Sequence, residues 1–173
     1  MAKLRKFVTY RRLERPYTRK SKFRNKSFVR ANPHNKVIRY VMGNQKKEFL
    51  YIVKLVSETD LQIRHNAIEA ARQSCNKYLE VNAGREEYKF HIRLYAHHIL
   101  RENRLASGAG ADRTSSGMKH SFGKSLSRAA QVKKGKVVAE VRTSSNNIVF
   151  AKTALKRFSH KLPNSWKIEV RAI

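Results

Sequence analysis

The sequence predicts an α+β fold, an antiparallel or mixed sheet with two packed helices, and three observations carry that reading. Short segments rich in β-branched and aromatic residues recur along the chain. Two longer segments repeat their apolar residues at helical spacing. Between them lies a segment too poor in large apolar residues to belong to any core, Asn103 to Lys124.

Lys36 to Met42 (KVIRYVM) and Glu48 to Ser57 (EFLYIVKLVS) read as strands separated by a turn at Gly43-Asn44. From Arg64 to Val81, Ile68, Ala71, Cys75, Tyr78 and Leu79 form one apolar stripe, and Asn82-Ala83-Gly84 supplies a helix stop. Tyr88, Phe90, Ile92 and Leu94 then alternate with Lys89, His91 and Arg93, the period-two pattern of a strand with one buried and one basic face. Gln131-Val132 and Val137 to Arg142 flank Lys133-Lys134-Gly135-Lys136 as an expected hairpin. Ser144 to Asn147 offers N-cap side chains for a second helix whose stripe is Ile148, Ala151, Leu155, Phe158 and Leu162. Pro163-Asn164 ends it, and Trp166, Ile168 and Val170 mark a last strand. The expected order is β-β-α-β-loop-β-β-α-β, with residues 1–35 as a basic arm and 36–173 as one domain.

Charge points to the partner. The 173 residues carry 39 Lys and Arg against 12 Asp and Glu, a formal net charge of +27. Self-repulsion of that size opposes a compact state, and a polyanion such as nucleic acid neutralises it. Between Met1 and Lys47 the only acid is Glu14, while Phe7, Tyr10, Tyr17, Phe23 and Phe28 interleave the cations. Such an arm can pair phosphates and stack on unpaired bases. A second acid-free stretch runs from Arg113 to Ala139. The expected RNA contacts are Arg11, Arg12, Arg15, Arg19, Lys20, Lys22, Arg24, Lys26 and Arg30 of the arm, with Arg93, Lys124, Arg128, Lys133 and Lys134 of the domain. One cysteine, Cys75, excludes an internal disulfide and a cysteine zinc site, and reads as a small buried hydrophobe. The longest apolar run, Phe49 to Val53, is far too short to span a bilayer, so a soluble cytoplasmic protein is expected.

Enzyme-like readings fail on spacing. Gly108-Ala109-Gly110 opens like a dinucleotide fingerprint, but Arg113 stands where the third glycine belongs. Gly123-Lys124-Ser125 ends like a P-loop, but five residues rather than four separate Gly117 from Gly123. His97, His98 and Glu102 do not make a metal or acid/base cluster, because neighbours on a strand point to opposite faces and no second carboxylate is close. Histidines of this kind are expected at the surface or against RNA. No catalytic residue, metal or cofactor is expected.

Four motifs carry a resemblance. GAGADRTSSGMKHSFGK at Gly108 to Lys124, FHIR at Phe90 to Arg93, HHILREN at His97 to Asn103 and IEAARQSCNKYL at Ile68 to Leu79 closely resemble the large-subunit ribosomal proteins called L-ten-e in archaea and eukaryotes, counterparts of bacterial L-sixteen. Arg15-Pro16-Tyr17 and the Lys36 to Gly43 strand extend the likeness over Arg15 to Val170; Met1 to Glu14 departs from it. Ending at Ile173 without the extension of the eukaryotic members, the chain is expected to be archaeal. The resemblance implies a hammerhead-type α+β sandwich and a non-enzymatic place in the large subunit beside the tRNA cleft. Partners would be large-subunit rRNA, tRNA acceptor arms and neighbouring ribosomal proteins, with no membrane and no homo-oligomer. It implies that the long loop reaches toward the peptidyl-transferase centre, bringing Arg101, Arg104, Arg113, Lys119 and Lys124 near RNA. Gly108 and Gly110 there allow close backbone approach. Two rival classes are an RNA-modifying enzyme, which needs paired carboxylates or a complete nucleotide motif that the sequence does not show, and a DNA-compacting protein, which would be expected to bind duplex DNA and to dimerise.

Overall fold

The computed structural model describes residues 5–14, 23, 25, 32–102, 108–110 and 123–173. Eight strands, β1 Val41–Gly43, β2 Tyr51–Ser57, β3 Leu61–Arg64, β4 Tyr88–Ile92, β5 His98–Glu102, β6 Lys124–Val132, β7 Val137–Thr143 and β8 Trp166–Ala172, accompany helices α1, His65–Asn82, and α2, Ile148–Ser159. They form two sheets, a larger one ordered β1-β4-β7-β2-β8 and a smaller one ordered β3-β6-β5. Every pairing is antiparallel. The α+β class with two packed helices therefore holds, and the mixed-sheet alternative is not realised.

Strand alternation explains the layering. In β4, Tyr88, Phe90 and Ile92 are buried, and the register sets them beside Thr143, Val141 and Ala139 of β7. Val53 and Leu55 of β2 continue the same inner face. Against it pack Ala151, Ala154, Leu155 and Phe158 of α2, all fully buried. Phe158 meets Phe90 edge-on, with ring centroids 6.0 Å apart and planes at 83°. On α1 the expected stripe of Ile68, Ala71, Cys75 and Leu79 is buried. Burial pushes the Cys75 thiol up, as befits an inert packing residue. The same apolar cluster includes Leu61, Ile63, Ala130 and Val132 of the smaller sheet, so α1 closes one core against both sheets.

Several local expectations need correction. Lys36 to Met42 is not a strand throughout: only Val41–Gly43 pairs, on the outer edge of β4. The Lys36 amide donates to the His65 ring and that of Val37 to the Asn35 side chain, so neither enters a ladder. Gly43 does turn the chain, at φ 82°, but β1 and β2 lie apart in the sheet. A Cβ at Gly43 would stand 2.2 Å from the Tyr88 carbonyl oxygen, so both its left-handed conformation and its closeness to β4 require glycine.

The expected hairpin at Lys133 to Lys136 is also not one. Its turn closes, with the Lys136 amide on the Lys133 carbonyl at 3.1 Å, but β6 and β7 enter different sheets. Residues 58–60 and 93–97 make two more short crossings between the sheets, and α1 carries the chain back from β3 to β4. Ser144 to Asn147 provides no side-chain cap to α2; a 3-10 turn, Ser145–Asn147, leads into the helix instead. Gly84, at φ 82°, follows α1 as the stop signal requires. Among the described residues, no helix is long and apolar enough to cross a membrane.

Phe158→Ala should cost roughly 3 to 5 kcal/mol, since it empties a fully buried aromatic site. Urea unfolding measures it, and a loss below about 1 kcal/mol would mean that α2 does not close the core.

Candidate nucleic-acid interface

The face of the larger sheet turned away from the helices carries the residues that alternate with the core. One row across the strands reads His91, Glu140, Lys54 and Glu169; the next reads Lys89, Arg142, Ile52 and Arg171. Arg93 continues this face just past β4, and Lys167 lies beside Val56 on β8. The two acids organise the cations. Glu140 is 3% exposed and faces Arg93 at 3.2 Å, His91 at 3.5 Å and Arg142 at 3.6 Å. Glu169 holds Lys167 at 3.2 Å and Arg171 at 3.5 Å. Cations outnumber acids here, so the face is positive and its charges are pre-aimed.

At the margin of this face the second crossing brings two expected contact residues together. Arg93 begins that crossing, and Arg128, half-buried in β6, donates to the Tyr95 hydroxyl at 3.2 Å. The Tyr95 and Tyr40 rings lie 6.0 Å apart, and Asn35 donates to the Tyr40 hydroxyl at 2.9 Å. Lys133 and Lys134 stand exposed on the third crossing, where Asp60 accepts the Lys134 amide at 2.6 Å.

The outer side of the smaller sheet is covered by residues 5–14. Gln62 donates to the Tyr10 carbonyl at 2.8 Å, Gln131 to the Glu14 carbonyl at 2.6 Å and Arg64 to the Arg5 carbonyl at 2.9 Å. Arg5 pairs with Glu102. Main-chain groups thus dock the segment and leave the Arg11 and Arg12 side chains exposed. Gln62 and Gln131, facing each other in register, were not singled out from the sequence. The available signal was an amide side chain in each of two otherwise apolar strand ends.

The long loop is rooted on adjacent strands, where Glu102 and Lys124 pair across β5 and β6. Gly123 packs so closely there that a Cβ would stand 2.9 Å from the Arg101 Cβ. Arg101 is half-buried and Lys124 exposed. Gly108 and Gly110 are exposed, with φ of 131° and 79°. Arg15, Arg19, Lys20, Lys22, Arg24, Lys26, Arg30, Arg104, Arg113 and Lys119 lie outside the described residues.

The histidines divide. His97 is exposed, but His98 is 2% exposed, which corrects the expectation of a surface position. Burial, then the neighbouring His97, lowers its pKa to about 4. His65 is also buried: its Nδ1 accepts the Lys36 amide at 3.2 Å, which leaves Nε2 as the protonated nitrogen facing Ser127 Oγ at 3.2 Å. Burial, then Lys36 and Arg128, lowers its pKa to about 4. Among the described residues, no group of three His, Cys, Asp or Glu could hold a metal ion.

A pre-aimed basic sheet face and a docked cationic segment define a scaffold for a polyanion. Residues 13–169 match the family described as ribosomal protein L16p/L10e. The large ribosomal subunit protein uL16 of Methanococcus maripaludis C5 is 49% identical over 168 residues, covering 96% of this chain and 94% of that protein. That of Methanococcus aeolicus is 47% identical over the same shares, and that of Archaeoglobus fulgidus 44% identical over 93% of this chain and 89% of that protein. The chain belongs to the ribosomal protein L16p/L10e family. It is a ribonucleoprotein constituent of the cytoplasmic ribosome, not an enzyme.

His65 sets a pH dependence. Its folded pKa lies below the unfolded value, so its contribution is complete above about pH 6.5 and is lost as pH falls toward 4. The loss should be on the order of 2 to 3 kcal/mol. His65→Gln, which keeps an acceptor and a donor but does not titrate, should flatten that part of the stability profile; an unchanged profile would contradict the buried neutral ring.

Proposed function

We propose that this chain is a structural constituent of the large ribosomal subunit that binds rRNA and, through its long loop, helps to position tRNA near the peptidyl-transferase centre. The observation that carries the reading is the loop's footing. Glu102 and Lys124 are paired neighbours, so the segment between them leaves and returns at one place on the smaller sheet. A segment rooted in this way can serve a partner without disturbing the ladder that holds it. Its sequence, with Arg104, Arg113 and Lys119 among Gly, Ala and Ser, suits phosphate and ribose rather than apolar burial. Residues 1–35 act as the rRNA arm of a single domain, 36–173, with Arg93, Lys124, Arg128, Lys133 and Lys134 as further rRNA contacts.

Deleting Ala106 to Met118, or replacing Arg113 and Lys119 by alanine, should leave folding and subunit assembly intact and weaken tRNA binding or accommodation. Reconstituted subunits compared for tRNA affinity and for peptide-bond formation on a minimal acceptor measure this. Normal tRNA handling in a fully assembled deletion subunit would reduce the protein to an rRNA scaffold.

Free protein should also bind duplex RNA with steep salt dependence. Neutralising about eight to ten phosphates gives a log K against log salt slope of about −7 to −9, whereas a slope shallower than about −3 would refute a polyelectrolyte interface.

A further inference from the structure

The open face of the larger sheet is rich in cations, yet its central rows contain no Phe, Tyr or Trp. It can hold phosphates but cannot stack on bases. Aromatic rings appear only at its margin, where Tyr40, His91, Arg93 and Tyr95 line a shallow cleft of about 320 Å³. Its ingredients are those of a nucleobase site. Tyr95 is 56% exposed although its ring is fixed twice, by contact with Tyr40 and by the Arg128 hydrogen bond to its hydroxyl. Tyr40 is fixed by Asn35. A ring already held in place stacks with little further loss of side-chain entropy.

Charge complements the rings. Arg93 opens the same crossing with its side chain 49% exposed, and both of its hydrogen bonds to Glu140 use Nη1. Glu140 is itself buried beneath Arg93, Arg142 and the His91 ring and presents no anionic surface to a ligand. Burial, more than any neighbour, raises the Tyr40 pKa, so its phenol remains neutral at physiological pH. Arg128 Nε has no hydrogen-bond partner among the described residues.

We infer that the Tyr40–Tyr95 cleft receives an unpaired RNA base, stacked on Tyr95, while Arg93 holds a phosphate of the same strand. The inference rests on the RNA-binding reading above and deepens it. The sheet face then docks backbone without regard to sequence, and the cleft captures a base extruded from a loop or bulge. A duplex, whose bases are not offered, gains nothing from the cleft.

The test uses the full chain and three probes of equal length: an oligoadenylate single strand, the same ribose-phosphate chain without bases, and an RNA duplex. Tyr95→Ala should weaken oligoadenylate binding by about 5- to 150-fold. It should leave the abasic strand, the duplex and the salt slope unchanged, and Tyr95→Phe should stay near wild type. Arg93→Ala should weaken all three and make the slope shallower by about 0.7 to 0.9. Ultraviolet crosslinking of oligoadenylate should place an adduct on Tyr95. Equal loss of the abasic strand in Tyr95→Ala would show that the ring only supports Arg128, and no loss of oligoadenylate would show that it does not stack; either overturns the inference while RNA binding stands. Failure of the wild type to bind any probe would overturn both.

Discussion

One apolar core, closed by α1 against two sheets at once, holds the molecule together against the repulsion of 39 cations. Ile68, Ala71, Cys75 and Leu79 face both the inner side of the larger sheet and the β3–β6 pair of the smaller one. Without that shared helix, a three-stranded sheet with only a few apolar residues would have no core of its own. Everything that points outward depends on it, because the three short crossings between sheets carry the tyrosine cleft, the lysine turn and the Asp60 clamp.

The few acids are spent on geometry. Glu140 gathers Arg93, His91 and Arg142; Glu169 gathers Lys167 and Arg171; Glu69 fixes Arg72 at 2.6 Å. Exposed pairs of this kind contribute little to stability, commonly below about 1 kcal/mol. Their effect is to hold cations in defined places before a polyanion arrives, which reduces the ordering that binding would otherwise require. Glu140 differs in being buried, so removing it would leave Arg93 and Arg142 without the carboxylate they share.

Fold and appendages are physically separate in this family member. The loop is rooted between two neighbouring strands, and the cationic segment 5–14 is held by glutamine side chains on its carbonyls rather than by apolar burial. Arg11 and Arg12 of that segment remain available to a partner while the core is undisturbed. The proposed division of labour follows: backbone docking by the sheet face, base capture at its margin, and tRNA handling by the loop.

Local chemistry alone determined the two helices, the alternating strand β4, the last strand and the polyanionic partner. Each rests on a periodicity or a charge excess contained within one segment. The four family motifs were likewise legible as sequence. What only the tertiary structure decided was the partition into two sheets. Most of β6, SLSRAA before Gln131, carries no strand periodicity of its own and is a strand because β3 and β5 flank it. β3 and β5 are short and lack the strict alternation that marks β4, and the ladder partners that define them lie far away in the chain. The hairpin expected at Lys133 to Lys136 failed for the same reason: a turn signal is local, but the sheet a strand joins is not. Nor could spacing show that Arg93 and Arg128, 35 positions apart, meet around Tyr95. The crossing from the larger sheet to the smaller one, a feature of the tertiary topology, put them there.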